Sequence, residues 1–408
     1  MHKVIVTDSS ERAALAIIRS LGRKGIEVTA ADSTNLNAGF LSKYCSRRVI
    51  YPSPQKNKKK FVKSILKLVK NENFDLLIPV TDFTMIPILE HKDEFEKHVK
   101  VAAPPYETAI KAYDKIQTVK IAEKHGLPCP KTIFLEDPSN LKEIATHLSY
   151  PVVIKPRMKV SWVNEKAIVL KVTDKNYAYD SKDLVEKYMN LVSKLNRFNI
   201  PSDFLLIQEY VKGHSYGVEV LMFNSKPKAI FAHKRLREYP ITGGASTLRI
   251  SVRNKKLENY AVSLLKAMNW EGIAMVEFKL NEKTGNIKLI EVNGRFWGSL
   301  ALAINAGVDF PYLLYKCIIE ERGFNIPNYK TGIKQKWLIP GDILWLYSSI
   351  VKKGKILDSI KEFITSFTVP DDIILLNDLK PTVGSIKTSL NLLIDVIKGQ
   401  RNISGEIL

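Results

Sequence analysis

Residues 290–300 read IEVNGRFWGSL, with Glu291, Asn293 and Arg295 at every second position behind an apolar run. Side chains at i, i+2 and i+4 of a β-strand share one face. A carboxylate, a carboxamide and a guanidinium therefore line one surface. The preceding strand, IAMVEFKL (273–280), is joined to this one by NEKTGN, a hairpin signal. A three-residue loop of Lys283, Thr284 and Gly285, with Gly285 left-handed, sets Glu277 directly opposite Glu291. Like charges opposed across strands repel, and a cation between them turns that cost into a site. Carboxylate and carboxamide oxygens are hard ligands that suit magnesium. Asn293 completes the set, and Arg295 can reach a phosphoryl or carboxylate group held there. A merely solvated hairpin face leaves the acid–acid pairing unexplained.

Magnesium usually accompanies phosphate, and cations for it stand upstream. Lys155 ends the apolar strand YPVVIKP, fixed by a following proline, and can contact phosphate as a point charge. Lys115, in AYDKIQ near a helix start, carries a weaker signal. HKRLREYPITGGAST (233–247) sets His233, Lys234, Arg235 and Arg237 beside Gly243, Gly244, Ser246 and Thr247. Cations followed by a glycine turn suit a polyphosphate or acyl phosphate. LLIQEYVKG (205–213) runs an apolar strand into Glu209, Tyr210 and Val211, where a backbone hinge can offer an N–H and a C=O to an adenine edge.

The first 110 residues alternate strand and helix: KVIVTD, IEVTAAD, FDLLIPVTD and VKVAAPP are short β runs separated by helical spacing. Such alternation predicts a doubly wound parallel sheet. The first turn, TDSSERAA, lacks the glycines of a dinucleotide site. From 111 to 325 the order is α+β. Beyond Pro327 short apolar-basic helices around prolines predominate. Ligands gather at the carboxyl ends of parallel strands, so a substrate pocket is expected between Thr7, Asp8, Thr81 and Asp82 and the PITGGAST loop.

Composition bounds the rest. A 408-residue chain, 45% hydrophobic and 25% charged, is ordinary for globular proteins. The N-terminus shows no secretory leader pattern, and the three cysteines form no CxxC pair or even set. A cytoplasmic setting is the expectation. The formal charge of +20 points to acidic partners. Helix-turn-helix, RNP and zinc-finger signals are absent, so no nucleic acid is expected. The segment LWLYSSIVKKGK permits a peripheral contact with an anionic membrane surface.

Taken in order, these segments resemble the ATP-grasp superfamily of carboxylate–amine ligases, with the ATP-binding fold of the biotin carboxylase and carbamoyl phosphate synthase type. EVNGRFWGS is close to the family pattern E-x-N-x-R-x-x-G-S, and the resemblance covers roughly residues 1–325. It implies a pre-ATP-grasp domain at 1–110, a two-subdomain ATP-grasp fold at 111–325 and a mostly helical C-terminal extension at 326–408. It implies ATP and Mg2+ (or Mn2+) as cofactors, and small-molecule carboxylate and amine substrates joined through an acyl phosphate; an oligomer is compatible with it. Lys115 falls at the first nucleotide lysine and Lys155 at the lysine of the α- and β-phosphates. Glu209, Tyr210 and Val211 match the adenine hinge, and Lys234 and Arg235 the region approaching the triphosphate. Glu277, Glu291 and Asn293 match the metal ligands, and Arg295 the arginine that steadies the acyl phosphate. Two features depart from the pattern. The loop after Lys155 has no glycine, so Arg157, Lys159 and Trp162 would have to serve a lid. Ser215 stands where relatives place a ribose-binding acid or histidine, with Glu219 as the substitute. An ATP-grasp kinase, or an inactive nucleotide-binding protein, are the alternative readings.

Overall fold

The computed structural model describes residues 2–397 apart from 242, 322–323 and 354–355. The N-terminal runs form a parallel sheet of β1 (Lys3–Val6), β2 (Glu27–Asp32), β3 (Arg47–Ile50), β4 (Leu76–Ile78) and β5 (Lys100–Val101), ordered β3-β2-β1-β4-β5. Beyond their first residues β1 and β2 are buried, as is all of β4, which fits a parallel sheet covered on both faces. The edge strand β3 lies outside the four apolar runs of the sequence. Its RRVI sequence is mostly exposed and carries no apolar alternation to reveal it.

The middle of the chain adds β6 (Thr132–Phe134), β7 (Val152–Pro156), β10 (Tyr177–Ala178) and β11 (Leu205–Glu209) in the order β10-β7-β11-β6, with β8 (Val160–Val163) and β9 (Lys166–Val169) as a separate hairpin. A larger antiparallel sheet follows, of β12 (His214–Phe223), β13 (Lys226–Tyr239), β14 (Ala245–Val252), β15 (Gly272–Asn281), β16 (Asn286–Asn293) and β17 (Lys334–Lys336), in the order β16-β15-β12-β13-β14-β17. The helix Lys255–Ala267 starts where the Asn254 side chain accepts from Leu257 N. Its Leu257, Ala261, Leu264 and Leu265 bury against Val218, Val220, Ala274 and Val276 beneath that sheet.

The β15–β16 hairpin pairs Glu277 with Glu291 by a different route from the one expected. Asn281 pairs with Asn286, so the loop has four residues, not three. A bulge between Glu277 and Phe278, with Ile290 as the extra residue opposite, restores the acid pairing. Asn281 Oδ1 accepts from the N–H of Lys283 and Thr284, and Gly285 takes φ +71°, which favours glycine.

The C-terminal region is helical (Ile343–Lys353, Ile356–Thr365, Lys380–Ile397), except that β17 joins the edge of the large sheet beside β14. It is pinned by buried ion pairs: Arg249 with Asp372, Arg12 with Asp372 at 2.7 Å, and Arg19 with Asp378 at 2.8 Å. No single helix among the described residues is long and apolar enough to cross a membrane.

Candidate active site

A cleft of about 1250 Å³ lies between the β6–β11 sheet, the large sheet and the carboxyl ends of the N-terminal strands. Its floor is the β15–β16 hairpin. Asn293 Nδ2 donates to Glu277 Oε1 at 2.9 Å and to Glu291 Oε1 at 3.2 Å, which draws the acid–acid–amide set into one cluster. Cations cover it. Lys159 Nζ lies 2.8 Å from Glu291 Oε1 and 3.2 Å from Asn293 Oδ1, and Arg235 Nη2 lies 2.6 Å from Glu277 Oε2. Burial alone would raise the Glu291 carboxyl, but the ammoniums of Lys159 and Lys115 hold it well below the usual carboxylate range. Among the described residues no group of three His, Cys, Asp or Glu could cage a metal. Two acids and an amide leave coordination positions for ligand oxygens.

Lys115 begins the helix Lys115–Lys124, whose cap is Asp114, its side chain accepting from Ile116 N. Lys155 reaches in from β7 and donates to Gln208 Oε1 at 2.5 Å. Burial lowers both ammoniums to about 8, partly opposed by Glu291. Arg295 Nε donates to Asp82 Oδ1 at 2.9 Å, tying the floor to the N-terminal domain. Glu209, Tyr210 and Val211 lie at the end of β11 along the cleft wall, with Ser215 close by. Asp8, at φ 54°, is hydrogen-bonded by Tyr51, Thr81 N and Thr84. Burial lifts it to about 6, against the hydrogen bond from Thr84.

The fold thus brings Lys115, Lys155, Glu209, Tyr210, Val211, Arg235, Gly243, Gly244, Ser246, Glu277, Glu291, Asn293 and Arg295 around one cleft. Of the N-terminal residues expected at the pocket only Asp82 lines it; Thr7, Asp8 and Thr81 do not, and neither do Glu219, Lys234, Arg237 and Thr247. Glu219 is fully buried inside the large sheet, 2.7 Å from His233 Nδ1, and meets no ribose-sized space. Lys234 pairs instead with Glu282 of the hairpin loop at 2.5 Å. Arg237 is buried against the C-terminal region: it bonds Asp342 at 2.7 Å and Glu362 at 3.1 Å, and stacks over Trp345. Thr247 donates to Asp342 at 2.9 Å. Thr247 and Ser246 belong to β14 rather than to a flexible loop, and the Ser246 hydroxyl donates to backbone carbonyls. Leu236 bulges out of the β13–β14 pairing, so Arg235 and Arg237 take different surroundings although two positions apart.

The lid residues divide likewise. Lys159 joins the floor, whereas Arg157 binds the capping carboxylate of Asp114 at 2.6 Å and Trp162 packs on Pro54 and Lys58 of the N-terminal domain. Gly294 and Gly298 admit close protein contacts: an added Cβ would stand 2.3 Å from the Trp270 ring and 2.6 Å from the Arg12 guanidinium. Gln208 and Asp114 hold Lys155 and Arg157 without a distinct sequence motif, a Gln within an apolar strand being the one local signal.

Residues 202–339 match the family described as "ATP-grasp in the biosynthetic pathway with Ter operon". The chain is 26% identical over 290 residues to the N-terminal section of the carbamoyl phosphate synthase large chain of Methanopyrus kandleri, covering 66% of this chain and 47% of that protein. It is 21% identical over 285 residues to the D-aspartate ligase of Enterococcus faecium, covering 66% and 65%. The chain therefore spans less than two thirds of the length of either. The biotin carboxylase domain of Hydrogenobacter thermophilus 2-oxoglutarate carboxylase, solved with MgADP, superposes with a TM-score of 0.63 at 16% identity, over 82% of this chain and 73% of that one. Motif order, sheet topology and these likenesses agree: the chain carries an ATP-grasp domain, set behind an N-terminal parallel α/β domain.

Proposed function

We propose that the protein is an ATP-dependent ligase that activates a carboxylate as an acyl phosphate and joins it to an amine. The observation that carries this reading is the floor itself: Glu277, Glu291 and Asn293 drawn together by hydrogen bonds, with Arg235, Lys115, Lys155 and Arg295 around the same cleft. The likeness to a D-aspartate ligase supports it.

The residues fit a magnesium–nucleotide. The floor supplies hard oxygens, and the Lys159 ammonium shows that a cation is accepted between Glu291 and Asn293. The cleft lining carries eight cationic side chains against five carboxylates, a surplus suited to a polyphosphate. Bound there, magnesium would neutralise phosphate charge and orient the terminal phosphoryl group; Mn2+ suits the same oxygens. Glu277, Glu291 and Asn293 would hold the metal. Lys159 neutralises Glu291 and so competes for the same oxygen. Lys115 and Lys155 present ammoniums to phosphate oxygens, and Glu209, Tyr210 and Val211 present backbone to the base. Arg235 bridges Glu277 of the floor and the Gly244 carbonyl, and its guanidinium would neutralise the terminal phosphate.

A substrate carboxylate oxygen bonds to the γ-phosphorus as the bridge to ADP breaks. The amine nitrogen then bonds to the acyl carbon, phosphate leaves and the amine gives up a proton. Arg295, held by Asp82, steadies the acyl phosphate. Positioning and charge neutralisation do the work, and no side-chain nucleophile takes part. Boundaries near 110 and 325 divide this machinery into a pre-ATP-grasp domain, the ATP-grasp domain and the C-terminal extension.

The test is a screen of amino acids and small polyacids for magnesium-dependent ADP release, with and without amines, read by mass spectrometry. An amide product is expected. ADP release that needs no amine and leaves a stable phosphorylated product would replace the ligase reading with a kinase.

A further inference from the structure

The cleft has two chemistries, and the nucleotide machinery uses only one. Its volume of about 1250 Å³ exceeds the roughly 300–1,000 Å³ of a single small-ligand pocket. The end away from the floor is walled by the C-terminal region, through Trp337, Ile339, Ile343, Leu344, Tyr347 and Leu390. The boundary is marked by Arg12, whose guanidinium lies 3.7 Å from the Trp337 ring centre.

This wall opens outward. Ile343 is 47%, Tyr347 59%, Ile386 41% and Leu390 53% exposed, and all four also line the cleft. Core residues would be covered, and surface residues would be scattered and polar. Here the exposed apolar side chains form the mouth of a cavity whose other end is built for phosphate. The segment Leu338–Val351 is apolar yet shorter than the about 20 residues of a spanning helix, so it is not placed to cross a bilayer.

Resting on the ligase reading, we propose that one of the two substrates carries an apolar chain, which lies along the C-terminal wall with its reacting group toward Arg295. The occupant is thus an amphiphile, taken either free from solution or from a lipid surface.

The test uses the full chain and measures binding of a saturated fatty-acid series from butyrate to dodecanoate by isothermal titration, with dodecanoate offered both as monomer and in phosphatidylcholine vesicles. Affinity is expected to rise about fourfold for each added methylene until the wall is filled, the equivalent of about 0.8 kcal/mol per methylene. Ile343→Asp and, separately, Leu390→Asp should flatten that rise while leaving MgADP affinity unchanged. Chain dependence from solution assigns a free amphiphile, and chain dependence from vesicles alone assigns a lipid. A flat series in the unaltered protein, or an undiminished rise in both variants, overturns the proposal. Loss of MgADP binding in the unaltered protein overturns the nucleotide reading instead, and leaves the chain-length result to stand by itself.

Discussion

Two clusters of charge sit within the same large sheet and behave as opposites. At the C-terminal seam, Arg249 and Asp372 are both fully buried against one another, with Arg12 on the second oxygen, and Arg237 meets Asp342 with both nearly inaccessible. Each arginine there meets a buried carboxylate of this chain, Asp372 being shared by Arg249 and Arg12. At the floor, Glu277 and Glu291 are opposed to each other and are answered by Lys159, whose side chain is 40% exposed, and by Arg235. The seam is closed to solvent, whereas the floor holds Glu291 with an ammonium that solvent reaches and a ligand cation can replace. That difference separates structural ion pairs from a binding site more sharply than residue type does, since both clusters set basic side chains against carboxylates.

The comparison breaks most visibly at the seam. Asp372→Ala strands buried guanidinium groups of Arg249 and Arg12, and should cost about 3–5 kcal/mol in urea denaturation. Next comes a lysine of the site. Lys155→Met should weaken MgADP binding by roughly tenfold, the loss of a charge-assisted hydrogen bond. The pH dependence has a definite sign. Burial sets Lys115 and Lys155 at about 8, below the ordinary lysine value. Below pH 8 the folded protein carries the full cost of two buried ammoniums, and that cost is relieved as pH rises from about 8 toward the ordinary value of about 10.4. The same titration removes the phosphate-binding charge, so MgADP affinity should fall above pH 8 even as these groups favour folding. Affinity that holds constant through pH 10 would remove them from the phosphate site. At the floor the effect on stability is smaller than at the seam: Glu291→Gln removes a carboxylate that the ammoniums of Lys159 and Lys115 hold ionised, and should cost about 1–3 kcal/mol in urea denaturation, because the Lys159 side chain is 40% exposed.

The sequence made the floor legible because period-two spacing and a glycine hairpin are local signals. Even so, the Glu277–Glu291 pairing was reached through two departures that cancel, a loop one residue longer than expected and a bulge at Ile290. Arg237 was indistinguishable from Arg235, because its partners Asp342, Glu362 and Ser366 lie more than 100 residues away and the bulge at Leu236 has no sequence mark. Glu219 looked available because β12 alternates as a half-exposed strand would, yet both of its faces are buried. Lys159 stood only in a glycine-free loop, and nothing local joins it to a carboxylate 132 residues on. The parallel N-terminal sheet was readable from its apolar runs, apart from the exposed basic edge at Arg47–Ile50.

The central claim is that Glu277, Glu291 and Asn293 form the metal floor of a nucleotide site. The direct measurement is titration of ADP with and without magnesium into the unaltered protein and into Glu291→Gln, under conditions where both are folded. Magnesium should tighten ADP binding in the unaltered protein and have no effect in Glu291→Gln. An equal magnesium effect in both proteins would contradict the assignment.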